Sequence, residues 1–318
     1  MVTKPALFTR KIERRGLLYA CRPDPGAAVS AKARPVAPML EVVQDKPLIS
    51  YGLTTLITAG CREVVIATPA EARPVLKDAL GDGARFGIDL SYLDLDPQTG
   101  VTDAILQARS ALGGMPSLVA IADHFLAMPG LSDRLQAYGS KQRGAVAFVA
   151  ENASPSGLTQ VAADARGRVT DVGDALLPGM RSVVGLVAFD ARAPEFCSWL
   201  MPSESGQRDM SDLLALYSSA GELSCIPLSG GDIWIDMTTD SGRKEAAKIV
   251  GDLQARRGTL VGSPELAAFE QGFMTRRDLA AAVHRHKGTS YGEALRKVLS
   301  PQPVRRAVAP TGLKVVGK

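Results

Sequence analysis

The residues best equipped for chemistry in this chain crowd the loop that follows its first apolar run. That run, residues 15–21, reads Arg-Gly-Leu-Leu-Tyr-Ala-Cys, then breaks into Arg22-Pro23-Asp24-Pro25-Gly26-Ala27-Ala28 and stays irregular to Asp45-Lys46-Pro47. A short apolar run ending in Gly and Pro reads as a buried parallel strand. The C-terminal edge of such strands is where open α/β sheets bind ligands. A loop built to hold phosphate there offers glycines, N–H donors and positive charge. This one carries Arg22, Lys32 and Arg34, but Gly26 is its one glycine and its prolines remove N–H donors.

Other reactive side chains carry weaker signals. His124 directly follows Asp123 at the end of an apolar run, and a lone His beside a strand end is expected to pack or hydrogen-bond. His284 and His286 stand two apart on a predicted helix and so face different sides, which argues against a metal site. The four cysteines, Cys21, Cys61, Cys197 and Cys225, show no Cys-x-x-Cys pairing and lie in or beside apolar runs. They are expected as small buried thiols in a reducing compartment.

The elements that must position these groups alternate along the chain. Residues 48–59 have helical spacing and stop at Gly60. The β-branched run 63–68 predicts a strand, 70–80 a helix, 88–93 a strand, 102–112 a helix capped by Thr102, and 118–123 a buried strand. This order implies a mostly parallel sheet covered on both faces. The second half is more mixed. Strands are expected at 144–150, 159–163, 168–172, 182–189, 223–228 and 233–237, with a hairpin at Asp164-Ala165-Arg166-Gly167 and a helix at 211–219. From 241 onward the pattern is helical, over 243–256, 264–273, 276–286 and 291–299. There is no internal repeat. The organisation expected is a polar lead-in at 1–15, an α/β domain at 16–240, a helical region at 241–300 and a mobile basic tail at 301–318.

Composition sets the outer limits. The chain has 318 residues, 46% hydrophobic and 22% charged, as in an ordinary globular protein with ample core. A formal charge of +4, partly from the chain ends, argues against nucleic acid as a partner. No apolar stretch suits a signal peptide or a membrane span, so the expected location is the cytoplasm.

Several stretches, taken in order, resemble the sugar-1-phosphate nucleotidylyltransferases, most closely the glucose-1-phosphate thymidylyltransferase group. They are Leu40-Glu41-Val42-Val43-Gln44-Asp45-Lys46-Pro47, Leu80-Gly81-Asp82-Gly83, Val119-Ala120-Ile121-Ala122-Asp123-His124-Phe125, Ile233-Trp234-Ile235-Asp236-Met237-Thr238, Ser263-Pro264-Glu265-Leu266-Ala267 and Ser290-Tyr291-Gly292-Glu293. The resemblance runs from about residue 16 to 299. It implies a Rossmann-like, glycosyltransferase-A-like nucleotidyltransferase fold with a helical C-terminal extension. It also implies attack of a sugar phosphate on a nucleoside triphosphate with Mg²⁺, a reaction that needs charge neutralisation more than covalent help.

Carried over by resemblance, the metal aspartates fall on Asp123 and Asp236. The nucleotide side falls on Ala20, Gly26, Gly100 and Asp123, and the sugar side on Gly157 and Asp171. The family's base-reading Gln aligns with Leu95, which cannot hydrogen-bond through its side chain. Its acidic and basic sugar-phosphate ligands align with Val172 and Gly173. The catalytic Arg falls among Gly26, Ala27 and Ala28, and the loop Lys on Pro38 or Ala37. Arg22, Lys32 and Arg34 are candidate replacements in that loop. Three readings follow. The favoured one is a catalytically degenerate binding, regulatory or partner protein. The second is an active Mg²⁺-dependent sugar-1-phosphate nucleotidylyltransferase with replaced cations, and the third another phosphate or sugar-nucleotide enzyme built on Asp123. The C-terminal helices imply a homo-oligomer, a dimer or tetramer.

Overall fold

The structure, a computed structural model, describes residues 12–21, 38–138, 143–151, 158–175, 177–204 and 206–300. The first half opens with β1 (Arg15–Tyr19), a small ribbon of β2 (Val42–Val43) and β3 (Lys46–Pro47), and α1 (Ile49–Thr58). It continues through β4 (Glu63–Pro69), α2 (Arg73–Leu80), β5 (Asp89–Leu95), α3 (Val101–Gln107), α4 (Arg109–Leu112) and β6 (Ser117–Ile121). Next come β7 (His124–Ala127), α5 (Leu131–Tyr138), β8 (Ala145–Ala150), the hairpin of β9 (Gln160–Ala163) and β10 (Val169–Gly173), and β11 (Arg181–Phe189). The last part holds α6 (Ala193–Trp199), α7 (Met210–Ser219), β12 (Leu223–Pro227), β13 (Ile233–Asp236), α8 (Asp240–Arg257), α9 (Pro264–Glu270), α10 (Arg276–Arg285) and α11 (Ser290–Leu299).

Among the described residues nine strands form one sheet, with main order β10-β9-β11-β6-β1-β4-β5 and with β8 joining β11 to β12. Strands β6, β1, β4 and β5 are parallel, while β11 runs antiparallel to β6. The chain winds outward from β1 through β4 to β5, then returns to β6 on the other side of β1. The carboxyl ends of β1, β4 and β6 therefore flank the point where winding reverses, the place where open α/β sheets bind ligands.

Burial follows the period of two expected of strands covered on both sides. Leu18, Val64, Ile66, Leu118 and Ala120 face a core built with α1 and the C-terminal helices, which contribute Leu266, Leu279 and Leu295. Leu17, Tyr19, Val65, Ala67 and Val119 face a second core built with α3, α6 and α7. All four cysteines are free and buried, as expected.

The helix expected at 70–80 starts later, at Arg73, because Pro74 takes a first-turn position where its missing N–H costs nothing. The helix expected at 102–112 is interrupted at Ala108 and is capped by Gly100. Thr102 lies inside it, fully buried, and its hydroxyl has no hydrogen-bond partner. Strand β7 and helices α5 and α6 carried too little periodicity to be read from sequence. Among the described residues no helix is long and apolar enough to cross a membrane.

Candidate functional site

Two backbone features bring Asp123 and Asp236 together although they are far apart in sequence. Asp123 is in the turn between β6 and β7, and β13 pairs antiparallel with β7 so that Asp236 stands opposite His124. The Met237 N–H closes the pair by donating to the Asp123 carbonyl at 2.9 Å. Asp123 is buried, while Asp236 is partly exposed and accepts the Thr238 N–H on Oδ1 at 2.7 Å. The Asp123 turn is thus anchored by a backbone bond, and the Asp236 turn by its own carboxylate.

Asp123 also acts on its neighbours. The Tyr19 phenol is pushed well above its ordinary range, first by burial, with Cys21 and Asp123 adding to the effect. Its hydroxyl donates to the Thr99 carbonyl at 2.6 Å and ties the end of β1 to the turn before α3. Burial also pushes the Cys21 thiol up, to about 12, with Glu71 and Asp96 adding to the effect. Cys21 is therefore a neutral packing group at neutral pH, unsuited to nucleophilic work.

Among the described residues no group of three or more His, Cys, Asp or Glu side chains is arranged to hold a metal ion. Two carboxylates are a donor set that fits Mg²⁺, which commonly takes one or two from the protein and completes its octahedron with water and phosphate oxygens. The residues present fit that ion in company with a phosphate ligand.

His124 was expected as a packing or hydrogen-bonding residue, and the structure agrees. Its ring is buried edge-on to Trp234, at a centroid distance of 5.6 Å. Nδ1 is 3.3 Å from the Trp234 indole nitrogen and 3.2 Å from the Val184 carbonyl. The indole only donates and the carbonyl only accepts, so either tautomer satisfies one of them. Space for the ring comes from Gly185, at φ +71°, where a Cβ would lie 2.2 Å from His124 Nδ1. The pairing of β11 with β8 shifts register across this glycine. Gly185 inside the apolar run 182–189 was a legible signal of a bulge or a close approach.

The turn before α3 is tightly made. Asp96 accepts the Gln98 N–H at 2.9 Å, and Gly100 caps α3 in an extended conformation. Gly100 has φ −72°, open to any residue, and a Cβ there would come 3.0 Å from Gln207 Oε1, the end of a flexible side chain. Arg208 fastens the loop that carries Gln207: its N–H and Nη1 both donate to Asp103, at 2.9 and 2.5 Å, and its Nε donates to the Leu200 carbonyl at 3.1 Å. Sequence reasoning gave Gln207 and Arg208 no role, and only tertiary contact identifies them. Beside this turn, Val101, Ile121, Leu158, Thr159, Val183, Gly185 and Met210 line an apolar cavity of about 110 Å³.

The remaining predicted residues divide. Ala20 directly follows β1 and its N–H donates to the Ala67 carbonyl at 2.8 Å. Asp171 is exposed on β10 and accepts the Val172 N–H at 2.9 Å. Val172 and Gly173 follow it on that edge strand, where neither side chain carries charge. Gly26, Gly157, Arg22, Lys32 and Arg34 lie outside the described residues.

Lys46, in a stretch that carried the resemblance, is buried and pairs with Asp45. Its ammonium lies 5.4 Å from the ring centre of Tyr51 and 5.6 Å from that of Tyr291. Burial lowers its pKa, opposed by Asp45 and Glu265. Nearby, the Tyr291 hydroxyl donates to Glu265 at 2.6 Å and His286 is 3.3 Å from the same carboxylate. Burial raises the Glu265 carboxyl, but these partners outweigh it and hold it below the ordinary range. The network locks the C-terminal helices to the sheet domain.

The model of the nucleotidyl transferase family matches residues 32–241. Glucose-1-phosphate thymidylyltransferase of Xanthomonas campestris pv. campestris is 30% identical over 285 residues, covering 89% of this chain and 96% of the relative. That of Mycolicibacterium smegmatis is 31% identical over 266 residues, 83% and 92% of the two chains. Among solved structures, a UDP-glucose pyrophosphorylase complexed with UDP-glucose superposes with TM-score 0.64 at 18% identity, over 76% of this chain and 99% of that one. A UTP-bound UGPase from Acinetobacter baumannii gives 0.59 at 17%, over 76% and 94%. At such identities the structural matches speak for the fold alone.

Proposed function

The chain belongs to the nucleotidyl transferase family, and from that premise we propose a sugar-nucleotidyltransferase-like protein that binds a nucleotide or nucleotide-sugar in the crevice and transfers poorly. The observation that carries this reading is an asymmetry. Pairing of β13 with β7 keeps Asp123 and Asp236 adjacent, whereas the sugar-phosphate positions hold Val172 and Gly173. Asp123 and Asp236 would hold Mg²⁺, which supplies charge neutralisation to bound phosphates. Tyr19 and the turn through Gly100 form the nucleotide wall.

Losing one charge-stabilising group at such a centre costs roughly 10²–10³ in rate by analogy with a lost oxyanion donor. Loss of the loop Arg, the loop Lys and the sugar-side Lys together leaves little transfer. A second reading, an active sugar-1-phosphate nucleotidylyltransferase, draws support from alignment with thymidylyltransferases across 89% of the chain. It requires Arg22, Lys32 or Arg34 to replace the missing cations. Assembly as a homodimer or homotetramer in the cytoplasm belongs to both readings.

The test is to incubate the protein with glucose 1-phosphate, each common nucleoside triphosphate and Mg²⁺ while following pyrophosphate. The degenerate reading expects a thermal shift with nucleotide and no turnover above background. Turnover abolished by Asp123→Ala would establish the active reading instead. Absence of any thermal shift with nucleotides or nucleotide-sugars would count against both.

A further inference from the structure

A second cluster of charged side chains gathers at the edge of the sheet opposite the aspartates. Strands β1, β6, β8 and β12 share one direction, and β11 runs against it. Arg14, Pro116, Gly144 and Glu222 directly precede those four strands, and Asp190 directly follows β11. These residues therefore meet at the amino edge, whereas Asp123 follows β6 at the carboxyl edge. With Arg143 they line a cavity of about 370 Å³, and apolar side chains such as Val146 and Phe189 supply much of the remaining wall.

The carboxylates of this lining are already used. Asp190 accepts from the Gly144 N–H at 2.7 Å, from the Tyr217 hydroxyl at 2.9 Å and from Arg192 Nε at 2.9 Å. Glu222 accepts from Arg143 Nε at 2.7 Å and also pairs with Arg192. The cluster holds three guanidiniums, on Arg14, Arg143 and Arg192, and two carboxylates, so one positive charge is unmatched.

Arg14 carries that surplus. It is half-buried, and among the described residues no acceptor or carboxylate bonds to its guanidinium. Burial lowers its pKa, opposed by Cys61. An arginine stays protonated all the same, so this cation has lost water without gaining a counter-charge, a cost that a bound anion relieves. Arg143 stands at the rim with 71% of its side chain exposed, and its Nη groups make no bond among the described residues. Arg14 also borders a second cavity, of about 330 Å³. That one carries Glu13, Glu63 and Asp89, and Glu63 already pairs with Arg15 at 2.6 Å, so an anion is better matched to the first.

We propose that the amino-edge cavity binds a small organic oxyanion, a carboxylate or phosphate monoester carried on an apolar body. Arg14 takes the anionic head, Arg143 supplies a second fork from the rim, and the apolar body lies against Val146 and Phe189. Guanidinium forks match carboxylate and phosphate geometry alike. The site is separate from the crevice and does not depend on the nucleotide-binding reading.

Calorimetry with phenyl phosphate, phenylacetate and neutral benzyl alcohol tests this on the parent and on Arg14→Gln, Arg14→Lys, Arg143→Gln and Asp123→Asn. Circular dichroism checks that each variant is folded. One or both anions are expected to bind the parent with Kd below about 1 mM, and the tighter of the two tells ester from carboxylate. Arg14→Gln should weaken binding roughly 10- to 100-fold, as for lost hydrogen bonds to a charged group. Arg14→Lys keeps the charge without the fork and should fall between the parent and Arg14→Gln. Arg143→Gln should weaken binding less, because its side chain is more exposed. Asp123→Asn should leave Kd unchanged. The proposal is overturned if neither anion binds the parent, or if benzyl alcohol binds as well as they do. It is equally overturned if Arg14→Gln stays within about twofold of the parent, or if Asp123→Asn shifts Kd by more than that, which would put the anion in the crevice.

Discussion

Replacing Gly185 by Ala tests the packing that holds the candidate site together. Gly185 has φ +71°, and an added Cβ would lie 2.2 Å from His124 Nδ1, 2.9 Å from its Cε1 and 3.0 Å from its Cγ. The ring has little room to yield, since it is 3% exposed, with the Trp234 indole and Val184 carbonyl close to Nδ1. Two costs add. A left-handed conformation costs a non-glycine residue about 1–2 kcal/mol, and forcing a methyl into a packed site costs about 1–3 kcal/mol. The sum, about 2–5 kcal/mol, corresponds to a fall in Tm of roughly 4–10 °C for a chain of this size.

Urea and thermal unfolding followed by circular dichroism measure it, on the single variants Gly185→Ala and His124→Ala and on the double variant. Truncating His124 removes the clash but not the backbone cost, so the cycle should show a coupling of about 1–3 kcal/mol. A Gly185→Ala protein within about 0.5 kcal/mol of the parent, or a coupling below about 0.5 kcal/mol, would refute the reasoning.

Four further outcomes are expected. Burial raises the Asp190 carboxyl, but bonds from Arg192, the Gly144 N–H and Tyr217 outweigh it, so its folded pKa is below its unfolded one. Its contribution to stability is then complete above about pH 4 and is lost as pH falls through the folded value; Asp190→Asn should flatten that acid limb in unfolding titrations, and an unchanged limb would count against the linkage. Asp190→Ala should cost roughly 2–3 kcal/mol in urea unfolding, less than the ~3–5 kcal/mol of a fully buried pair, because Arg192 keeps 27% of its side chain exposed. Tyr291→Phe removes the donor to Glu265 and should cost about 1–3 kcal/mol by the same assay; a neutral effect would mean that His286 alone satisfies the carboxylate. Light scattering at micromolar concentration should report a dimer or tetramer, and a monomer would overturn that expectation.

Much of the fold could be read from the sequence because its determinants are local. The β-branched run 63–68, the apolar run 118–123 and the Gly-ended helix at 48–59 each declare their state within a few residues, and their order sets a parallel sheet. The boundaries that moved did so for chemical reasons also written locally, such as Pro74 in a first turn. Strand β7 escaped because it is four residues long and gains its identity only by pairing with β13. Helix α6 escaped because α3 and α7, which cover it, come from elsewhere in the chain.

The sequence by itself determined the parallel core, since residue type and alternation decide it, whereas Asp123, Asp236 and the uncharged residues at the expected cation positions were singled out only through the resemblance. Only the tertiary structure brought Asp236 opposite His124, made Gly185 the space for that ring, and carried Gln207 to the turn at Gly100. The reason is physical. A hydrogen bond or a contact across the crevice joins groups a hundred residues apart, and no local period records which distant side chain will fill the space a glycine leaves.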